Sequence, residues 1–178
     1  RNINLSSSEI AFLRAVIGSI FLIGASFFLR QEPAYKSIKR NILLLSLSGA
    51  AIGINWIFLF RAYECTSIAN ATLSYYFAPI FVIILAPLIL KEKLTPVRVV
   101  CVFTAMLGLF LIVKVGNANL DYSYNHLLGI IYGLLAAAFY ASVILMNKFI
   151  KNLSGFETTL VQLMSAVLVL LPYVVLKD

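Results

Sequence analysis

The side chains with chemical potential in this sequence are amides, phenols and one arginine, set inside long apolar runs. Arg14 lies a turn and a half into the first run, in Phe12-Leu13-Arg14. Asn55 is the polar centre of the second and has no charged neighbour in sequence. Asn70, Tyr75 and Tyr76 fall in the third, ahead of Pro79, and Tyr140 stands near the middle of the fifth. Such groups bind rather than react. An amide donates and accepts, a phenol offers a hydroxyl and a π-face, and a guanidinium carries a fixed positive charge. Arg14, Asn55, Asn70, Tyr75, Tyr76 and Tyr140 are therefore the candidates for lining a cavity that takes a small polar guest. Pro79 lacks an N–H, which frees a carbonyl one turn earlier, around Tyr75, and kinks the helix. A broken helix at membrane depth is tolerated where it borders a cavity; a kink that only shapes packing is the alternative.

Each candidate also has a plainer role. A charge inside a span is costly, so Arg14 either snorkels to the interface along its aliphatic stem or faces a water-filled cavity. Asn55 belongs to a stripe of Ser48, Ala51, Asn55, Leu59 and Ala62, and its amide must find another helix or a solvated cavity. Gly49 and Gly53 form a small-xxx-small pair that reads as close helix packing. The fifth run carries Tyr132, Ala136, Phe139, Tyr140, Val143 and Asn147 along one face. His126, the single histidine, sits at the outer edge of that run and reads as an interface residue before a proton relay. Ser6 with Glu9, and Ser154 with Glu157, fit the capping box, in which Ser and Glu each satisfy a first-turn N–H. A proton or substrate role for the two glutamates is the sharper alternative.

Catalytic constellations are missing. The sequence holds no HExxH, GxSxG, Walker loop or Gly-rich dinucleotide turn. The central portions of the apolar runs carry no Asp, Glu or His, so neither a carboxylate dyad nor a carboxylate proton path is visible. Cys65 and Cys101 give no disulfide framework and no metal-ligand spacing. The sequence indicates no enzyme, cofactor or metal.

The elements that must position these groups follow from composition. Of 178 residues, 62% are hydrophobic and 12% charged, against about 45–50% and about 25% in soluble domains. So small a soluble core cannot hide that much apolar surface, and the bilayer is the solvent that fits. The 14 Lys and Arg outnumber 7 Asp and Glu, yet they sit in breaks between apolar runs rather than on one face, which excludes nucleic acid as a partner. Membrane lipids are the surrounding partner instead. A helix crossing the hydrocarbon core needs about 20 apolar residues. Six candidates meet this, at 8–29, 41–62, 68–90, 96–114, 127–148 and 155–176. Thr95 then Pro96 reads as a cap followed by proline at the first helical position. The fold class is all-α, a polytopic transmembrane helical bundle.

Orientation comes from basic residues. Arg30, Lys36, Lys39, Arg40, Lys91, Lys93, Arg98, Lys148 and Lys151 fall on one side, and Arg1, Arg61, Lys114 and Lys177 on the other. The richer side is expected to be cytoplasmic. A multi-pass protein of the cell membrane with loops 30–41, 91–98 and 148–154 in the cytoplasm follows.

The chain repeats itself. Asn4-Leu5-Ser6-Ser7-Ser8-Glu9 matches Asn152-Leu153-Ser154-Gly155-Phe156-Glu157 at four of six positions, at an offset of 148. Both segments open an apolar helix, and Arg14 falls opposite Gln162. The offset contains five helices, an odd number, so the two copies point in opposite directions, the inverted-repeat plan of many secondary transporters. One further helix is then expected before residue 1 and three after residue 178.

The run from Arg61 to Ala71 (Arg-Ala-Tyr-Glu-Cys-Thr-Ser-Ile-Ala-Asn-Ala), then Pro79-Ile80-Phe81, then Leu90-Lys91-Glu92-Lys93-Leu94-Thr95, resembles the EamA-like family of the drug/metabolite transporter superfamily. Arg14 resembles the arginine usual in that family's second helix, and Gln162 the glutamine in its seventh. The resemblance covers essentially the whole chain and implies helices two to seven of a ten-helix, five-plus-five inverted repeat. Residues 1–120 would be most of the first repeat, lacking its first helix, and 121–178 the truncated start of the second. It also implies a permease or exporter of small metabolites such as amino acids, working by alternating access. A membrane scaffold or assembly protein that transports nothing is the alternative. No sequence feature specifies an oligomeric state.

Overall fold

The computed structural model describes residues 7–28, 35–91, 95–116 and 125–176. The regular elements among them are helices: α1 (Ser7–Phe28), α2 (Tyr35–Cys65), α3 (Ile68–Tyr75), α4 (Ala78–Leu90), α5 (Pro96–Gly116), α6 (His126–Asn147) and α7 (Gly155–Val175). Five stretches, Glu9–Phe28, Tyr35–Cys65, Ile68–Leu90, His126–Asn147 and Gly155–Val175, are long and apolar enough to cross a membrane, and Pro96–Gly108 is a shorter apolar stretch. The chain is all-α and polytopic.

The start of α2 differs from the sequence expectation. The segment at 30–41 is not wholly a loop, because α2 begins at Tyr35 and carries Lys36, Lys39 and Arg40 on helical turns. Apolar length marks where lipid ends, whereas lysine and arginine are good helix formers that continue a helix past that point. α5 begins at Pro96, as the Thr95-Pro96 pair predicts, so Arg98 at the end of the 91–98 segment is helical, its N–H bonded to the Thr95 carbonyl at 3.0 Å.

The third span is two helices rather than one bent helix. α3 ends at Tyr75 and α4 starts at Ala78. Ser67 caps α3 by accepting from the Asn70 N–H. Pro79 lies in the first turn of α4, the position where a missing N–H is tolerated. Across the junction the Phe77 N–H donates to the Ser74 carbonyl at 3.2 Å, a tightened turn. Lys91, at φ 54°, ends α4 in the left-handed region.

The contacts divide the chain into two units, residues 1–57 with 146–178 and residues 58–145. In the first, α1 packs on α7, burying Ala11, Ala15 and Ser19 at helical spacing. On α7, Gln162, Ala166 and Leu170 form the buried stripe. Gly49 and Gly53 bring α2 against that helix. A Cβ at Gly49 would stand 2.5 Å from the Gln162 carbonyl oxygen and from Ser165 Cβ, and one at Gly53 would stand 3.3 Å from the Ala166 oxygen. At Gly49 only a residue without a side chain permits this approach, and at Gly53 a side chain would be tight, the usual route to close packing in lipid. In the second unit, glycines on α6 play the same part. A Cβ at Gly129 would meet Thr66 Cβ at 2.5 Å, and one at Gly133 would meet Ser74 Cβ at 2.6 Å.

Candidate functional site

Polar side chains gather in each unit at these glycine-lined approaches. In the first unit the Gln162 amide donates to Ser48 Oγ at 2.7 Å and to Asn147 Oδ1 at 2.6 Å. The Ser48 hydroxyl itself donates to the Leu45 carbonyl at 3.0 Å. Both Ser48 and Gln162 are buried, so these bonds replace hydration that lipid cannot supply. Asn55 lies two turns further along α2 and is 1% exposed. Arg14 is exposed on α1, with its guanidinium 5.2 Å from the centre of the Trp56 ring, within cation–π range. The sequence candidates Arg14 and Asn55 thus meet different surroundings, the one over an aromatic face and the other inside the packing. Glu157 and Ser154 form a complete capping box, with the Ser154 N–H donating to Glu157 Oε2 at 2.9 Å. Glu9 lies in the first turn of α1; its proposed cap Ser6 lies outside the described residues.

In the second unit the break between α3 and α4 places three phenols together. The ring of Tyr75 lies 5.6 Å from that of Tyr140 and 6.2 Å from that of Tyr76. Tyr76 and Tyr140 are exposed, and Tyr75 is half-buried. Asn70, one turn and a half before Tyr75, joins a chain of polar contacts. Its amide donates to Thr66 Oγ1 at 3.4 Å, Thr66 Oγ1 lies 2.8 Å from His126 Nδ1, and the Asn70 carbonyl accepts from Ser74 Oγ at 2.8 Å. Phe58 stacks on Tyr132 and Phe139, two turns apart on α6. The arrangement offers hydroxyls, amides and π-faces without a carboxylate among them, which suits binding of a polar or amphipathic guest.

The pairings are not legible residue by residue. Gln162 stands out as an amide in an apolar run, and Ser48 as a hydroxyl on the α2 stripe, but they are 114 residues apart. The Thr66–His126 contact spans 60 residues, and the sequence signal for it is Gly129, three residues after the histidine, which lets α6 approach Thr66.

The model of the EamA-like transporter family matches residues 2–114. The chain belongs to this family. Among its relatives, the uncharacterized transporter YxxF of Bacillus subtilis is 34% identical over 173 residues, covering 96% of this chain and 55% of the relative. The uncharacterized transporter YojE of the same organism is 33% identical over 113 residues, 60% of this chain and 38% of the relative. A human relative, solute carrier family 35 member G1, is 26% identical over 156 residues, 83% of this chain and 42% of the relative. The chain spans about half the length of the curated relatives it matches. The segment matched by the EamA-like model contains Arg14, Asn55, Asn70, Tyr75, Tyr76 and Pro79, whereas Tyr140 and Gln162 lie beyond it.

Proposed function

We propose that this EamA-like chain works in a secondary transporter, a permease or exporter of small metabolites such as amino acids. The observation that carries the reading is the interrupted third span with its cluster of Tyr75, Tyr76 and Tyr140. A break at this depth is tolerated where backbone lines a cavity, and transporters place substrate at such discontinuous helices. In this reading the tyrosines and Asn70 contact the substrate. Asn55 and Arg14 line the path in another conformation of the alternating cycle, and Pro79 fixes the break. Two inverted repeats, 1–120 and the one opening at 121, rock against each other. The protein sits in the cell membrane with the Lys- and Arg-rich segments 30–41, 91–98 and 148–154 in the cytoplasm. No catalytic step is proposed.

The test is counterflow in proteoliposomes with the full-length protein and a panel of radiolabelled amino acids. Saturable exchange of at least one of them, weakened about tenfold or more by Tyr140→Ala, is expected. Exchange with none of the amino acids or other small metabolites would favour the scaffold reading, in which the close-packed glycines 49, 53, 129 and 133 only hold helices together.

A further inference from the structure

The N-terminal turns of α2 gather positive charge in a way that a helix alone does not favour. Lys36, Lys39 and Arg40 occupy positions i, i+3 and i+4, where like charges repel. They stand at the end of the helix whose dipole disfavours cations, and its first turn holds no carboxylate. None of the three takes part in an ion pair with a described residue. The same three, with Ser37 and Asn152, line an open cavity of about 540 Å³. Asn152 stands in the left-handed backbone region, at φ 58°. The buried Asn41 fixes this geometry. Its amide donates to the Ser37 carbonyl at 2.9 Å and to the Lys151 carbonyl at 3.0 Å, tying the α6–α7 connection to α2. All of these residues belong to one unit.

On α2 the basic residues of the cavity share a helix face with an apolar track. Lys36, Arg40, Leu43 and Leu47 recur at i, i+4, i+7 and i+11, one stripe of the helix, and Leu43 and Leu47 are 71% and 52% exposed. Tyr35, exposed at the helix start, is the kind of aromatic that anchors at a headgroup layer. With 31 residues, α2 is about 46 Å long at about 1.5 Å per residue, well over the roughly 30 Å of hydrocarbon. An overhang at the basic first turns would set them among the headgroups, with Leu43 and Leu47 against acyl chains.

We propose that this cavity binds the phosphate of an anionic phospholipid, with Lys36, Lys39 and Arg40 as the cationic cradle, Ser37 and Asn152 as hydrogen-bonding groups, and the Leu43–Leu47 stripe under an acyl chain. Basic pockets between membrane helices on the cytoplasmic side hold anionic headgroups by this chemistry. The site does not depend on what the protein transports.

Native mass spectrometry of the detergent-purified full-length protein tests it, with phosphatidylglycerol and phosphatidylcholine of equal chain length as probes. Preferential retention of phosphatidylglycerol is expected. The combined Lys36→Gln, Lys39→Gln, Arg40→Gln variant should lose that preference by about tenfold or more, and Lys91→Gln, a lysine outside the cavity, should keep it. Unchanged preference in the combined variant overturns the proposal. Displacement of the lipid by millimolar inorganic phosphate overturns the assignment to lipid in favour of a soluble anion. Should the combined variant fail to fold, the wild-type protein decides: preference must fall between about 0.05 and about 0.5 M salt, as screening requires, and a salt-independent preference overturns the site.

Discussion

The side-chain amide of Gln162 on α7 donates to the hydroxyl of Ser48 on α2 at 2.7 Å, at the point where Gly49 lets the two helices touch. Gln162 binds Asn147 with the same nitrogen, so it has two partners and Ser48 is one of them. Ser48→Ala should therefore cost about 0.5–1.5 kcal/mol, near the range for interhelical hydrogen bonds in membranes. Gln162→Leu removes both bonds and leaves Asn147 and Ser48 to find others, at about 1–3 kcal/mol. A double-mutant cycle read by denaturation in mixed micelles should give a coupling of at least about 0.5 kcal/mol. Strict additivity would show that the 2.7 Å bond contributes nothing.

The glycines give a graded series. Gly49→Ala forces a Cβ to 2.5 Å from a backbone oxygen, which cannot yield as a flexible side chain would. A loss of about 2 kcal/mol or more is expected, as for overpacked cores. At Gly53 the nearest atoms are at 3.3 Å, so alanine should cost about 1 kcal/mol or less. Gly24→Ala and Gly108→Ala meet nothing within 4 Å and should be neutral or slightly stabilising through helix propensity. Thermal denaturation in detergent ranks the four, and an equal response at Gly49 and Gly108 would contradict the packing described.

The contrast between these sites shows what one sequence carries. Apolar runs of about 20 residues mark membrane helices because lipid imposes that length, and Gly49 and Gly53 already read as a packing pair. The stripe through Ser48, Ala51 and Asn55 is buried at all three positions. The start of α2 at Tyr35 was not legible, since Lys36, Lys39 and Arg40 are compatible with loop and helix alike. Nor was the burial of Leu45, which is 0% exposed. It lies on the Asn41–Leu45–Ser48 side that meets other chain segments, and in a span where nearly every residue is apolar, hydropathy cannot tell a lipid-facing leucine from a packed one. Partner choice, such as Gln162 with Ser48 or Thr66 with His126, depends on helix register and crossing, which no local pattern records.

Thr66 is the hub of the second polar chain, contacting His126 Nδ1 at 2.8 Å and accepting from the Asn70 amide at 3.4 Å. Thr66→Val keeps its shape and removes the shared oxygen. A loss of about 1–2 kcal/mol is expected, whereas Thr104→Val on α5, whose exposed hydroxyl bonds the Val100 carbonyl of its own helix at 2.9 Å, should change stability by about 0.5 kcal/mol or less. Equal effects in thermal denaturation would mean that the Thr66–His126 contact is not a stabilising one.

Arg14 and Trp56 can be followed by tryptophan emission, Trp56 being the single tryptophan of these 178 residues and the difference between wild type and variant reporting on it. The guanidinium 5.2 Å from the ring centre perturbs its environment. Arg14→Gln should shift the emission maximum and change its quenching by acrylamide, at a stability cost of about 0.5–2 kcal/mol for a contact of this type. Arg14→Lys should retain part of the effect, since an ammonium also lies favourably over the ring but lacks the stacking plane. Emission identical in wild type and Arg14→Gln would place the arginine away from the indole.

Tyr140 separates a binding role from a packing one. Its ring lies 5.6 Å from that of Tyr75, and it is exposed beside the α3–α4 break. Tyr140→Phe keeps the ring contact and removes only the hydroxyl. If that hydroxyl meets substrate in the proposed transport cycle, the variant should raise KM about tenfold in proteoliposome flux, because the site then holds a polar group without its partner. Melting in detergent should be unchanged within about 1 °C, as expected for an exposed hydroxyl that leaves packing intact. Tyr132→Phe is the comparison, since that ring stacks on Phe58 at 6.0 Å on the same helix and is not part of the cluster. A KM unchanged in Tyr140→Phe but raised in Tyr132→Phe would move the substrate contact away from the tyrosines at the break and onto the Phe58 stack.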